Sequence, residues 1–406
     1  MTPSSETQPA ATGFGTDLKV GLGVWFFSSL IILGGAAFGW RFVKPQGGAS
    51  DTFLEALRRW DGSWYGSVVE SGYTFNQKYT SSVAFFPGYP LSFGAISWTT
   101  GASVALAQFV AAQLYLLAGF VVFHAYLRRR FPTRPDLPLA VLLTMAFFPP
   151  TFFFHMDYSE SMFFFATTLV LLAAIARWPL LALAFVIGLA TGVRPVGVAL
   201  LPILIRETWF RSSTWLGFVG RSAALLPIAC WGLLGYMAYL HTNFGDPLAF
   251  AKAQDAWNSH PDETFETKLE ALLTLKPIWG SFIGDSGHFF PTKIDPSLDY
   301  IGASTPNAIV FIFGISLVMI GVCCRWLTWT EFLVAAALLG MPYLTRGFES
   351  QFLSFARFTA AALPIYIPLA RLIQRCPRLI QLGILFIGIW ATTTLASLFA
   401  AGYHIV

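Results

Sequence analysis

The sequence contains few charged residues for its length. Asp, Glu, Lys and Arg together make up 11% of the 406 residues, whereas a soluble globular domain carries about 25%. So few charges could not cover the surface of a soluble protein of this size. Hydrophobic residues make up 55%, with 40 Phe and 14 Trp, as is typical of lipid-facing helices and of aromatic residues at membrane interfaces. The composition therefore predicts an all-α, polytopic transmembrane helical bundle.

Cysteine is also scarce, and several motifs of soluble enzymes are absent. The four cysteines, Cys230, Cys323, Cys324 and Cys376, lie in or beside apolar stretches, so we expect packing thiols and not a disulfide or zinc framework. The chain has no Gly-rich phosphate loop and no Ser elbow. Its net charge of +4 forms no basic patch, which argues against nucleic acid as a partner. No cofactor is firmly implied, and these patterns give a divalent metal no support.

The polar segments predict the domain organisation. Residues 1–17, rich in small and polar residues, predict a disordered N-terminal tail. Residues 18–406 are expected to form one transmembrane domain of about 11 helices. Short loops rich in arginine normally face the cytoplasm, so the arginines at 128–130 orient the bundle. The two large polar loops, at about 41–102 and 241–304, then lie on the outer side.

Two apolar stretches are interrupted near this outer side. Prolines at 87–90 break the stretch 83–100, which predicts a re-entrant or interfacial element. The stretch 179–205 is followed by arginines typical of a cytoplasmic loop, so we expect it to turn at 192–195. Arg194 lies in that turn. An arginine at membrane depth indicates a functional position, and the alternative is a side chain that snorkels to the interface.

The first outer loop carries an aspartate among aromatic residues. Trp60, Asp61, Trp64 and Tyr65 stand close together, and Glu70 follows. A water-poor pocket raises the pKa of a carboxyl, and such a carboxyl can act as a general base. The alternative is an aromatic belt at the interface in which Asp61 is incidental.

Other polar residues are expected on the same side. Asp157 and Glu160 either point into the pocket of Asp61 or belong to an ordinary helix cap, and their spacing from His155 is not diagnostic of a metal site. Arg357 lies beside a second outer turn, where a guanidinium can bind a lipid phosphate bidentately or form a surface ion pair.

Taken in order, these segments resemble the PIG-V family, the GPI mannosyltransferase 2 type enzymes of the GT-C superfamily. The resembling segments are residues 59–61 (RWD) with Glu70, Gly72 and Tyr73; 84–91 (AFFPGYPL); 148–150 (FPP) with 158–163 (YSESMF); 194–197 (RPVG); 244–250 (FGDPLAF) with Gln254 and Trp257; and 357–358 (RF) with 363–364 (LP). The compact loops indicate a prokaryotic homologue without a GPI pathway, and therefore a bacterial plasma membrane, or the ER membrane in a eukaryote.

The resemblance implies an inverting transfer of mannose from polyprenyl- or dolichyl-phosphate mannose to a glycolipid acceptor on the non-cytoplasmic face. Asp61 matches the family's acidic position and is the expected base, with Glu70 or Glu160 positioning the acceptor. Arg194 and Arg357 are expected to bind the lipid phosphate. The other expected substrate contacts are Trp60, Trp64, Tyr65, Asp157, Tyr158, Gln254 and Trp257.

Two further expectations follow. Asp61, Arg194 and Arg357 should converge on one outer cavity. Membrane lipids are expected partners, and the sequence leaves a small partner subunit as an open alternative. The alternative function is a secondary transporter or lipid flippase with its cavity near Arg194, although we find no internal repeat of the kind that many transporters contain.

Overall fold

The computed structural model describes residues 13–46, 48–76, 79–257, 264–283, 304–350 and 352–405. Every regular element within them is helical, and no strand occurs, which confirms the predicted all-α class. The α-helices are α1 (Phe14–Phe42), α2 (Phe53–Leu57), α3 (Asp61–Ser71), α4 (Gly88–Thr100), α5 (Val104–Arg130), α6 (Leu137–Ala146), α7 (Glu160–Ile175), α8 (Leu180–Val193), α9 (Leu201–Phe210), α10 (Trp215–Ala229), α11 (Trp231–Phe244), α12 (Ala249–Lys252), α13 (Phe265–Leu273), α14 (Lys276–Ile283), α15 (Ser304–Cys323), α16 (Trp329–Arg346), α17 (Phe355–Ala360), α18 (Tyr366–Gln374) and α19 (Arg378–Ala400). Short 3-10 turns occur at Ser82–Ala84, Pro149–His155, Pro195–Leu200, Ala253–Trp257 and Leu363–Ile365.

Several helices are suited to crossing a membrane. Within the described residues α1, α5, α15 and α19 are long and apolar enough to do so. Two further pairs qualify only if each bent pair forms one span: α6 with Pro149–His155, bent by 84°, and α10 with α11, bent by 56°. Four to six spans support a multi-pass membrane protein, but they do not confirm the predicted count of about 11.

The bundle is organised around α5, which packs against α1 and α7, while α19 packs against α1. The first helix starts earlier than the sequence suggested. Asp17 is buried in the first turn of α1, where the helix dipole favours a carboxylate, and it bonds to His124 at 2.7 Å and to Arg128 at 2.8 Å. The predicted tail boundary at residue 17 is therefore wrong, because residues 14–17 belong to α1. Residues 1–12 lie outside the described part of the chain.

Three helical stretches break where the polar residues gather, each beside a proline. The predicted turn at 192–195 is confirmed: Arg194 is extended, with φ −150° and ψ 146°, because the residue before a proline avoids the helical conformation. The apolar stretch 137–154 bends at Pro149, where α6 and the 3-10 turn Pro149–His155 meet at 84°. The apolar stretch 358–369 is likewise divided, since α17 ends at Ala360 and α18 begins after a 3-10 turn that contains Pro364.

Candidate active site

Asp61 is the first residue of α3, where the partial positive charge of the helix terminus favours a carboxylate. Trp60, just before it, has φ 59° and ψ −120°, a conformation that is costly for a bulky residue and often occurs at functional sites. Arg357 Nη1 donates to Asp61 Oδ2 at 2.7 Å. The Asp61 side chain is 35% exposed and that of Arg357 is 12% exposed, so a substrate would reach Asp61 first.

Glu160 joins this ion pair to a second one. It is the first residue of α7, and its side chain is only 2% exposed. Its Oε1 accepts from Arg194 Nη1 and lies 3.2 Å from Arg357 Nε. The order Asp61, Arg357, Glu160, Arg194 therefore alternates in charge, and we call these four residues the charge chain. The formal charges cancel, and these ion pairs bring Asp61, Arg194 and Arg357 together.

Arg357 is fixed by aromatic rings as well as by carboxylates. Its guanidinium carbon lies 5.4 Å, 5.5 Å and 5.7 Å from the ring centroids of Phe153, Tyr158 and Phe358, within cation–π range. Burial alone would lower the pKa of Arg357, but the carboxylates of Asp61 and Glu160 together raise it above its ordinary value. The guanidinium therefore stays charged at every physiological pH.

Aromatic residues form one wall beside the charge chain. Trp64 stacks on Phe85 with 5.7 Å between ring centroids, and Tyr65 meets Phe85 and Tyr89 edge-on. Tyr65 is buried and shares a 2.7 Å hydrogen bond with Ser159, while burial raises the pKa of Tyr65 to about 12. Tyr65 thus supports the start of α7 instead of offering an open face to a sugar, whereas Trp64 is only half-buried.

His404 is a site residue that the sequence analysis missed. Its ring meets Trp60 edge-on, with 4.3 Å between centroids, and the next residue, Ile405, packs into an apolar cluster. Burial lowers the pKa of His404; the nearby Asp61 opposes this shift and Arg357 adds to it. Trp60 itself is 40% exposed and remains able to stack on a sugar. No local motif marks His404 in the sequence.

Asp157 and Tyr158 lie behind the site and do not line it. Both side chains are buried, and the direct contact with substrate expected for them stays a prediction. Gln108 Nε2 donates to the carbonyl oxygens of Gly62 and Asp157 at 2.9 Å and 2.7 Å, and Tyr158 Oη donates to the carbonyl of Arg59 at 2.8 Å. These bonds fix the start of α3 from behind.

The carboxyl group of Asp157 is isolated. Neither of its oxygens has a hydrogen-bond partner among the described residues. Burial raises the pKa of Asp157 well above its ordinary value, and the charge of Arg58 offsets only part of this shift. Burial without a hydrogen-bond partner therefore favours the neutral carboxylic acid over the carboxylate.

Three predicted residues are not joined to the charge chain. Glu70 is nine positions from Asp61 in the same helix, about 14 Å along its axis, and pairs with Arg58 at 3.0 Å. Glu70 is therefore not brought to the site. The Gln254 carbonyl accepts a long 3.5 Å bond from Arg346, and the side chain of Trp257 lies outside the described residues.

No metal-binding group of three or more His, Cys, Asp or Glu residues occurs within the described parts of the chain. The charge chain brings four ionisable side chains together at this end of the bundle. It can supply one accessible carboxylate, Asp61, held beside two guanidinium groups.

Comparison with known proteins identifies no family. No family model matches the chain, and no curated protein matches it. Among solved structures the chain is similar to a crystal structure of the Archaeoglobus fulgidus oligosaccharyltransferase tethered with an acceptor peptide, at 13% identity and a TM-score of 0.43. The similarity covers 94% of this chain and 55% of that one, so the chain spans about half the length of that protein. At this level the similarity determines neither the family nor the reaction.

Proposed function

We propose that the chain is an integral membrane glycosyltransferase that moves mannose from a polyprenyl- or dolichyl-phosphate donor to a glycolipid acceptor. The observation that carries the proposal is the charge chain, which joins an accessible carboxylate, Asp61, to two guanidinium groups from distant segments. Such a transfer needs a base for the acceptor hydroxyl and a cationic group for the leaving phosphate. The segments that resemble the PIG-V family support mannose as the sugar.

Asp61 is the proposed base. Its Oδ2 is held by Arg357, and its Oδ1 has no hydrogen bond to a described residue. Oδ1 can therefore accept the proton of an acceptor hydroxyl as the hydroxyl oxygen bonds to the anomeric carbon. The bond from that carbon to the phosphate oxygen breaks at the same time, and the leaving phosphate keeps the electron pair. Attack opposite the leaving group inverts the anomeric carbon.

Arg357 couples the proton transfer to Asp61 with the departure of the phosphate. In the resting site it is paired with Asp61 and Glu160, so it is not free to bind a phosphate at full strength. Protonation of Asp61 removes one of its counter-charges at the moment when negative charge develops on the leaving phosphate. Arg357 then stabilises that phosphate in the transition state more than in the resting complex, which is the condition for catalysis. Arg194, held by the buried Glu160, remains the second proposed phosphate contact.

Product analysis tests this function. Purified protein in proteoliposomes is supplied with polyprenyl-phosphate mannose and a lipid extract from its source, and the lipids are analysed by mass spectrometry. We expect a lipid that is heavier by one hexose with the wild-type chain and none with Asp61→Asn. Movement of the donor lipid across the bilayer without a new glycosidic bond would support the flippase alternative, and failure to form any product would refute the transferase.

A further inference from the structure

The helices α13 and α14 form a hairpin whose open surface is apolar. In α13, Phe265, Leu269 and Leu273 are 75%, 44% and 75% exposed, and their spacing of four residues places them along one side of the helix. Trp279 and Phe282 of α14 are also exposed. An apolar row of this kind in water would be unfavourable unless another apolar phase covers it.

Another side of α13 is attached to the bundle. The carbonyl oxygen of Leu272 accepts a 2.9 Å hydrogen bond from Tyr343, and Leu272 packs with Phe348. Lys268 forms an ion pair with Glu349. The exposed row is thus presented by a docked helix in a fixed orientation, at the end of the bundle that carries the charge chain.

A third side of α13 is acidic. Glu266 and Glu270 are exposed and follow two members of the apolar row by one position, which is a rotation of about 100° around the helix. The helix therefore has a side bonded to protein, an apolar side and a charged side. Adjacent apolar and charged sides are the pattern of a helix that lies at the boundary between lipid and water.

Length and position indicate the same environment. The nine residues of α13 and the eight of α14 extend about 14 Å and 12 Å, less than half of the roughly 30 Å hydrocarbon core. The hairpin is joined to the candidate span α15, where Thr305 Oγ1 donates to the carbonyl of Ser281 at 2.5 Å. Ile309 and Phe313 of α15 are exposed, so the helix next to the hairpin also presents apolar side chains suited to lipid.

We propose that the hairpin α13–α14 lies in the interface of the lipid bilayer without crossing it. The row Phe265, Leu269 and Leu273 faces the acyl chains, and Glu266 and Glu270 face water. The partner of this surface is the bilayer itself, at the boundary between headgroups and acyl chains. The proposal does not depend on the reaction that the charge chain performs.

Spin labels on the full-length protein in nanodiscs test this placement. All four native cysteines are replaced by alanine, and a nitroxide is attached in turn to Leu269→Cys, Leu273→Cys and Glu270→Cys, with Ile312→Cys of α15 as the lipid reference. Collision rates with oxygen, which concentrates in lipid, are compared with those of a polar nickel chelate. We expect the ratio of oxygen to nickel collisions to exceed one at positions 269, 273 and 312 and to fall below one at position 270.

Two results would overturn the proposal. A ratio below one at both leucine positions would place the row in water. Protection of both leucine positions from both reagents would mean that protein covers the row. Only labelled variants whose thermal unfolding matches that of the parent are compared, because such variants retain the docking through Lys268 and Tyr343.

Discussion

At the scale of the residue, Glu160 is a buried carboxylate that two arginines share. It is nearly inaccessible and is the shared counter-charge of Arg194 and Arg357. A buried ion pair is weak evidence for net stability, but removal of one partner leaves an uncompensated buried charge. Glu160 is therefore required for the two guanidinium groups to remain buried near Asp61.

Glu160→Gln is expected to destabilise the protein by about 3–5 kcal/mol, because two guanidinium groups lose their buried carboxylate. Glu207 offers a matched control, since it also pairs with two arginines, Arg206 and Arg211, with a more exposed side chain. Glu207→Gln is expected to cost about 1 kcal/mol or less. Thermal unfolding in detergent measures both, and equal losses in the two variants would contradict the role given to Glu160.

Asp157 predicts a dependence of stability on pH. Because its pKa is raised in the folded chain, the folded state binds this proton more tightly than the unfolded state does. Wild-type stability should therefore fall as the pH rises from about 4 towards the raised value. Asp157→Asn removes that loss. The thermal unfolding midpoint of the variant, relative to that of the wild type, should therefore increase from pH 5 to pH 8. A difference that stays constant between these pH values would show that Asp157 does not titrate in this way.

At the scale of the element, the position of Arg194 depends on how closely α8 and α11 approach. Gly232 of α11 faces Gly188 and Gly192 of α8, and a Cβ at Gly232 would lie 2.4 Å from the Gly188 carbonyl oxygen. Small residues allow this close packing between membrane helices. Arg194 directly follows α8, so displacement of that helix would move one end of the charge chain.

Gly232→Ala is therefore expected to lower the unfolding temperature and the transfer rate. Gly235, one turn further along α11, has no atom within 4 Å of an added Cβ. Gly235→Ala should be neutral or stabilising by up to about 1 kcal/mol, because alanine favours a helix. Paired unfolding and activity measurements compare the two variants, and equal behaviour would argue against close packing of α8 and α11.

At the scale of the whole molecule, α5 separates two charged regions. Gln108, near its start, bonds to the segment behind Asp61, and Arg128 lies twenty residues later, about 30 Å away. That distance matches the hydrocarbon core of a bilayer. Part of the arginine cluster is neutralised, since Arg128 pairs with Asp17 and Arg130 with Glu331. Because Asp and Glu contribute little to topology, the number of arginines still predicts that this end of α5 faces the cytoplasm.

The proposed topology can be tested by cysteine labelling in intact cells. Ser63 and Thr133 are exposed residues near opposite ends of α5. In a chain without its native cysteines, Ser63→Cys should react with a membrane-impermeant maleimide, and Thr133→Cys should react only after permeabilisation. The reverse pattern would place the charge chain on the cytoplasmic side.

Some features of the fold and of the candidate site could be predicted from the sequence, because a local pattern constrains the backbone or places a polar residue beside an apolar stretch. The break at Arg194 follows from Pro195, and the polar residues at the ends of apolar stretches identified Asp61, Glu160 and Arg357. Their pairing could not be derived from the sequence, because Asp61 and Arg357 are 296 positions apart.

The positions of His404 and Asp157 could not be predicted from the residues next to them in the sequence. His404 reaches Trp60 through the packing of α19 on α1, which no nearby residue encodes. The charge of Asp157 is evident from the sequence, but its burial is not. Gln108 and the start of α3, which are distant in the sequence, pack around it. The polar residues in the sequence indicated which segments form the candidate site. Tertiary packing determines which of their side chains are accessible.

The most direct test of the account is the rate of sugar transfer by Asp61→Asn, compared with Asp136→Asn, an exposed carboxylate in another part of the chain. Both variants are purified, checked for wild-type thermal unfolding and assayed with polyprenyl-phosphate mannose. We expect Asp136→Asn to transfer at the wild-type rate and Asp61→Asn to lose about a hundredfold or more, as for the removal of a general base. Transfer at the wild-type rate by a folded Asp61→Asn protein would contradict the assignment of Asp61 as the base.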